Sequence, residues 1–164
     1  MPTGPAARIT DNVVHPLPPV LTPGPGALTV LIGFLPAWRA VPTGAGAALQ
    51  AANQAATTTI KAAEAATAAA AGTPGAPAAY AAEQATKGAL LASMSAMVNA
   101  IPGDTHACVT PLPVPPHGPG KVIDGSATVL TENLPQSRMG DTIIEAVGPP
   151  NKIAKGEMTV IVGG

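Results

Sequence analysis

The sequence predicts a mainly β protein, a stack of short β-hairpins, with an Ala-rich α-helical hairpin inserted into it. Two observations support this fold class: short glycine-bounded Thr-Val runs recur at a constant offset, and one long Ala-rich segment interrupts them. A third is the content of 20 prolines and 18 glycines in 164 residues, which favours turns and short strands. We expect the β part to span residues 1–43 and 102–164, and the helical insertion to span 44–101.

The repeat is the strongest signal in the β part. Residues 26–39 read Gly-x-x-Thr-Val followed by Pro-x-x-Arg, and residues 125–138 repeat this pattern at the same spacing. Residues 156–164 begin a third copy that stops at the C-terminus, and residues 5–8 are the tail of a copy whose beginning is absent. Within the first copy, residues 27–34 are predicted to form one short strand. One such unit cannot bury a face alone, so several must stack.

The segment 44–100 is predicted to form two helices, because Ala, Gln, Glu, Lys and Thr dominate it. The Gly- and Pro-rich run 72–77 breaks it, and Pro102-Gly103 ends it. Charged and amide residues interrupt both helices, which favours a packed hairpin over a membrane span; contact with a membrane or another protein is the alternative. The apolar residues at helical spacing are Leu49, Ala52, Ala56, Ile60 and Ala63, then Leu90, Met94, Met97, Val98 and Ile101.

The single cysteine and the three histidines form a candidate metal site. Once the insertion is set aside, the loop after the Pro-x-x-Arg segment at residues 36–39 contains His106, Cys108 and His117. His15 lies in the equivalent loop after the segment at residues 5–8. Equivalent loops of stacked hairpins emerge at the same end, so the four side chains are expected to converge as a complete tetrahedral shell for zinc. The alternatives are ordinary surface or packed histidines, or, without His15, the open three-ligand geometry of catalytic zinc.

The composition limits the classes of function. Phe34, Trp38 and Tyr80 are the only aromatic residues, so the core is thin and a metal is a plausible way to stabilise it. One cysteine excludes an intramolecular disulfide and agrees with a reducing compartment. The formal net charge of −1, without a basic stripe, gives no support for nucleic-acid binding. Residues 1–10 lack the pattern of a secretory signal, so assembly in the cytoplasm is expected.

The arginine of each Pro-x-x-Arg segment has two interpretations. Arg8, Arg39 and Arg138 are either solvated charges or partners of Asp11 and Asp141 that hold the hairpins together. Exposed pairs of this kind contribute little stability, so the distinction depends on burial.

Taken together, these motifs resemble PAAR-repeat proteins over the whole chain except the helical insertion. Two segments depart from the literal Pro-Ala-Ala-Arg: residues 36–39 read Pro-Ala-Trp-Arg, and residues 135–138 read Pro-Gln-Ser-Arg. The residues that carry the resemblance are Pro5-Ala6-Ala7-Arg8, Asp11, His15, the Gly-x-x-Thr-Val hairpins, Pro135-x-x-Arg138-x-Gly140-Asp141 and Gly163-Gly164.

The resemblance implies a short conical β-structure on the trimeric spike of a contractile injection machine, such as a type VI secretion system or an extracellular phage-tail-like particle. It also implies a structural zinc ion near the apex, which carries over to His15, His106, Cys108 and His117. Where some relatives carry a further ligand, the loop after Asp141 has no His or Cys, which leaves Glu145 as a substitute candidate. The implied role is mechanical rather than enzymatic: the chain caps the spike and pierces a membrane, with cargo possible on the helical hairpin. The alternatives are a metal-dependent enzyme or toxin, or an adaptor that recruits an effector.

Overall fold

The computed structural model describes residues 3–14, 20–108 and 117–163. Within these residues lie two helices, α1 (Thr43–Ala70) and α2 (Ala76–Ala100), and eleven short strands. The strands are β1 (Gly4–Ala6), β2 (Pro23–Gly24), β3 (Leu31–Ile32), β4 (Leu35–Pro36), β5 (Thr105–Cys108), β6 (Gly118–Val122), β7 (Leu130–Thr131), β8 (Leu134–Pro135), β9 (Thr142–Glu145), β10 (Asn151–Lys152) and β11 (Glu157–Val162).

The fold is mixed, with helix and strand in comparable shares, rather than mainly β. About 36% of the described residues are helical and 29% are in strands. The two helices have 28 and 25 residues, whereas no described strand exceeds six, so a single insertion outweighs the repeats in helical content.

The helical hairpin forms where the sequence predicts it, and it packs against the β part. Leu49 and Ala56 of α1 and Met94 and Val98 of α2 are buried in one cluster with Ile144 and Ala146, which lie in and just after β9. Inside the hairpin, the Lys87 ammonium lies 2.7 Å from both Glu64 and Glu83. Neither helix among the described residues is long and apolar enough to cross a membrane.

The strand predicted over residues 27–34 forms one side of a hairpin but is shorter than expected, since β3 covers only Leu31–Ile32. The chain turns at Gly33 and Phe34, so that β3 and β4 pair antiparallel. β7 and β8 repeat this hairpin around Glu132 and Asn133. Two consecutive residues with positive φ make each turn, a conformation that the alternation of apolar residues does not reveal.

The two incomplete copies of the repeat combine into a third hairpin. β11, near the C-terminus, pairs with β1, near the N-terminus, so the two chain ends meet where the other hairpins have their turns. The register is the same in all three, as the equivalent pairs Leu31↔Pro36, Leu130↔Pro135 and Ile161↔Pro5 show.

The three Pro-x-x-Arg segments form a closed ring. The amide of Ala7 donates to the carbonyl of Ser137, that of Ser137 to Trp38, and that of Trp38 back to Ala7, each at 2.9 Å. A second cyclic set repeats the pattern: Ile9 to Pro36, Ala40 to Pro135 and Met139 to Pro5, at 2.8–2.9 Å. The backbone therefore has an approximate threefold axis, and each copy satisfies the polar groups of its neighbour.

Each arginine of the repeat pairs with an aspartate, so the paired interpretation is the correct one. Arg8 binds Asp11 and Arg138 binds Asp141, both three residues along the chain. Arg39 binds Asp104, which lies 65 residues further along the chain because the helical insertion comes between them, and its Nη2 lies 2.7 Å from Asp104 Oδ1. In every copy the same carboxylate also accepts the amide of its own arginine, which fixes the turn that follows the ring.

The ring separates two layers, because successive side chains of an extended segment point to opposite faces. Ala6 and Ala37 pack towards the three hairpins, in a cluster with Ala27, Ile32 and Val162. Ala7 and Trp38 pack the other way, in a cluster with Val13, Leu21, Ala40, Val122, Ile143 and Ile153. That second layer contains a five-stranded antiparallel sheet of order β10-β9-β6-β5-β2. The hairpins and the sheet are therefore at opposite ends of the ring.

We predict that Arg39→Met destabilises the protein by about 3 kcal/mol, because it leaves the fully buried Asp104 carboxylate without its cation. Urea unfolding of the purified variant measures this loss. The control is Lys155→Met, at an exposed lysine, for which we expect a change within about 0.5 kcal/mol. Equal stability of the two variants would contradict the structural role of the Arg39 pair.

Candidate metal centre

The five-stranded sheet brings the candidate ligands together. His106 and Cys108 are two residues apart on β5, so their side chains leave the same face of the strand. β6 lies between β5 and β9, and His117 immediately precedes it. Glu145 is the last residue of β9. Three different segments thus converge on one end of the sheet.

Cys108, His117 and Glu145 form a compact group of possible ligands. Each offers one donor atom, and these atoms all lie within 4.8 Å of one another. The three residues are buried: Cys108 is 3% exposed, His117 8% and Glu145 0%. Burying a carboxylate and a thiol side by side is costly unless a proton or a cation compensates their charge.

His106 lies beside this group. Its Nδ1 is 3.1 Å from the Val20 carbonyl oxygen, which can only accept, so Nδ1 carries a proton. Nε2 is buried without a hydrogen-bond partner among the described residues, 3.6 Å from Glu145 Oε1. Either a proton between Nε2 and the carboxylate or a metal ion next to both would satisfy this buried nitrogen.

His117 is oriented in the same way. Its Nδ1 lies 2.7 Å from Glu145 Oε2, at hydrogen-bond distance. At protein metal sites, a ligating histidine usually donates its other ring nitrogen to a carboxylate or carbonyl. In both described histidines, Nδ1 lies next to an oxygen of this kind.

Gly120 makes room for the group. It lies on β6 directly opposite His106 on one side and Glu145 on the other. A Cβ at this position would stand 2.9 Å from Glu145 Cγ and 3.0 Å from Ile143 Cγ2. The absent side chain therefore leaves the space that the Glu145 side chain occupies.

The helical hairpin supports the centre from outside. The buried Asn53 of α1 donates its side-chain amide to the Glu145 carbonyl oxygen at 3.0 Å and to that of Gly148 at 3.4 Å. The Gly148 backbone in turn lies against the His117 ring, since a Cβ there would be 3.1 Å from Nε2. The insertion thus contacts the backbone that positions two of the three grouped residues.

One side of the centre is reachable from the surface. His117 lines a cavity of about 290 Å³ between α1, α2 and the loop after β9, together with Ile60, Lys87, Val147 and Pro149. A metal site needs an entry path of this kind, because its ligands must exchange protons and water when the ion binds.

The structure treats the four predicted ligands differently. It groups Cys108 with His117, places His106 next to them, and brings in Glu145 as the third member of the group. His15 lies outside the described residues, so its predicted role stays a prediction. Gly120 lies opposite both His106 and Glu145, and this position links the glutamate to the site. The sequence alone does not show this link, because it depends on how the strands pair.

The donor set suits a metal ion. A thiolate, one or two imidazole nitrogens and a carboxylate oxygen provide three or four ligands in a buried site, and these are donors that transition metals use in proteins. Comparisons of the chain with protein-family models, with curated proteins and with solved structures give no match. The case for a metal centre therefore depends on this geometry.

We predict that Glu145→Gln weakens metal binding at least about tenfold, because it removes a negative charge that faces His106 and His117. Competition with a chromophoric chelator measures the affinity of the purified protein. The matched control is Glu157→Gln, which removes a carboxylate that binds Arg8 in the hairpin layer and should leave metal affinity unchanged. Equal affinities of both variants would exclude Glu145 from the centre.

We also predict that Gly120→Ala destabilises the protein by about 1–3 kcal/mol and lowers its metal affinity, because the new methyl group overlaps Glu145 and Ile143. The control is Gly88→Ala in α2, where no heavy atom lies within 4 Å of the added Cβ. That change should stabilise the protein by about 0.5–1 kcal/mol through helix propensity. Thermal unfolding and the chelator assay together measure both effects, and unchanged binding by Gly120→Ala would contradict the assigned role of Gly120.

Proposed function

We propose that the chain is a metal-stabilised tip that caps the blunt end of a trimeric spike, as the resemblance to PAAR-repeat proteins implies. The observation that carries this proposal is a set of three equivalent apolar side chains on the hairpin layer. Leu31, Leu130 and Ile161 hold the same register position in the three hairpins, and they are 61%, 59% and 60% exposed.

The symmetry of this surface supports a threefold partner. A monomer gains nothing in its own fold from repeating one exposed apolar position three times around an axis. The end of a trimer, by contrast, offers the same site three times, so one chain with three internal copies can match all three subunits.

The composition of the surface supports burial against a protein. Exposed apolar residues cluster on the hairpins, and contiguous patches of this kind mark interaction sites. β3–β4 and β7–β8 are isolated two-stranded units whose outer edges can pair with strands of a partner. The other exposed apolar residues of the hairpins are Leu28, Phe34, Val129, Met158 and Val160.

The metal centre lies on the opposite side of the ring, where the resemblance puts the apex. We take zinc as the ion, because thiolate and imidazole ligands in a buried site are typical of structural zinc. Structural zinc contributes about 10–16 kcal/mol of apparent binding energy in small peptides, against about 5–15 kcal/mol for the stability of a whole domain. An ion at this position would therefore keep a small apex rigid under load as it pierces a membrane.

The helical hairpin has a separate part in this proposal. It is fixed to the metal-bearing layer through Asn53 and the cluster around Ile144, and its far end, with Tyr80, extends away from those contacts. Such an arm gives cargo or an effector an attachment point that does not compete with the spike-binding surface.

We predict that Ile161→Asp abolishes binding to the purified trimeric shaft of the spike protein from the same organism, because a charge replaces an apolar side chain at the centre of the contact. Native mass spectrometry should show one wild-type chain per trimer. The matched control is Tyr80→Asp on α2, an apolar residue of nearly equal exposure, 58%, which should bind as the wild type does.

The result that contradicts the proposal is a wild-type chain that does not bind the shaft at micromolar concentration. A stoichiometry of three chains per trimer would contradict it as well, because a chain with an internal threefold repeat cannot share its axis with two others.

A further inference from the structure

We propose that Phe34 is the aromatic anchor of the hairpin layer, inserting into a pocket on the end of the trimeric partner and setting the rotation of the cap. This inference rests on the proposed function and adds a residue that contributes to the affinity of its binding surface. It depends on an internal comparison of the three hairpins.

The backbone at Phe34 is strained for this side chain. Gly33 and Phe34 form the turn between β3 and β4 with φ values of 55° and 67°. Both positions of such a turn favour Asn, Asp or Gly, because a Cβ in the left-handed region contacts the backbone. The equivalent residue of the second hairpin is Asn133, with φ 64°, which suits the same conformation. The first hairpin therefore has a bulky aromatic side chain where its counterpart has a residue that fits.

Among the described residues, the Phe34 side chain is packed against almost nothing. Phe34 is 95% exposed, more than any other large apolar residue among those described, and it is the only phenylalanine of the protein. Trp38, by contrast, is fully buried where the three Pro-x-x-Arg segments meet. A strained backbone that holds an aromatic ring in solvent indicates a function at that position rather than a contribution to folding.

A threefold partner gives this single ring a specific effect. Aromatic residues that fill a partner's pocket dominate the energy of protein interfaces. The tip of the second hairpin has Asn133, and the two strands of the third hairpin, β1 and β11, contain no aromatic residue. One ring would therefore occupy one of three identical pockets on the trimer, and the three possible rotations of the cap would be equivalent.

The first test compares Phe34→Asn with the wild type on the purified trimeric shaft. The variant copies the residue of the second hairpin, so its melting temperature should equal or exceed that of the wild type. Its Kd should rise about 30-fold, as expected for the loss of an aromatic hot spot. A change in affinity without loss of stability separates an anchor from a residue that only supports the fold.

The second test moves the ring to the other hairpin. In the double variant Phe34→Asn with Asn133→Phe, the tip of the second hairpin carries the aromatic side chain, at an exposed position with the same backbone conformation. If the axis of the cap coincides with that of the trimer, a rotation of the cap by one third of a turn restores the contact. We expect most of the lost affinity to return.

Each other outcome is informative. Wild-type binding with an unaltered Kd for Phe34→Asn overturns the anchor and leaves the proposed function standing. A double variant as weak as Phe34→Asn overturns the assignment of rotation to Phe34. Absence of wild-type binding to the shaft removes the proposed function itself. Sedimentation of the chain alone completes the set, since self-association that Phe34→Asn abolishes would assign the ring to a second copy and overturn the proposal.

Discussion

The closed ring of backbone hydrogen bonds between Ala7, Trp38 and Ser137 is the constraint on which the rest of the structure depends. Three segments from distant parts of the chain satisfy each other's amides and carbonyls around one axis, so none of them is stable alone. The arginine–aspartate pairs then fix the direction in which the chain leaves the ring. Because the third copy combines both chain ends, the ring also joins the N-terminus to the C-terminus.

This constraint explains how the protein tolerates a helical insertion. The insertion enters between Arg39 and Asp104, which remain in the same contact that Arg8 and Asp11 make at three residues' separation. The geometry of the ring is therefore independent of what lies between the two residues. α1 and α2 add their own core against β9 and contact the backbone of the metal centre through Asn53.

The ring also divides the molecule into two ends with different chemistry. One end exposes apolar side chains in a threefold arrangement, and the other brings buried donors for a metal ion to one point. The thin core, poor in aromatic residues, makes a cation a physically reasonable source of rigidity at the second end.

Local patterns in the sequence were sufficient for the helices, their break at residues 72–77 and the existence of the repeat, because propensity and periodicity act over a few residues. Cys108 and His117 could be chosen as ligands from residue type alone. The sequence did not reveal that β1 and β11 form one hairpin or that Asp104 replaces the nearby aspartate for Arg39, and it offered Glu145 only as a substitute candidate for the metal group. The first two contacts link residues 65 or more positions apart, and Glu145 lies on a strand that β6 separates from β5. Only the tertiary structure brings these residues together. A turn before the Pro-x-x-Arg segment was expected, but its position at Phe34 was not, because the left-handed backbone there opposes the preference of this residue type and the hairpin imposes it.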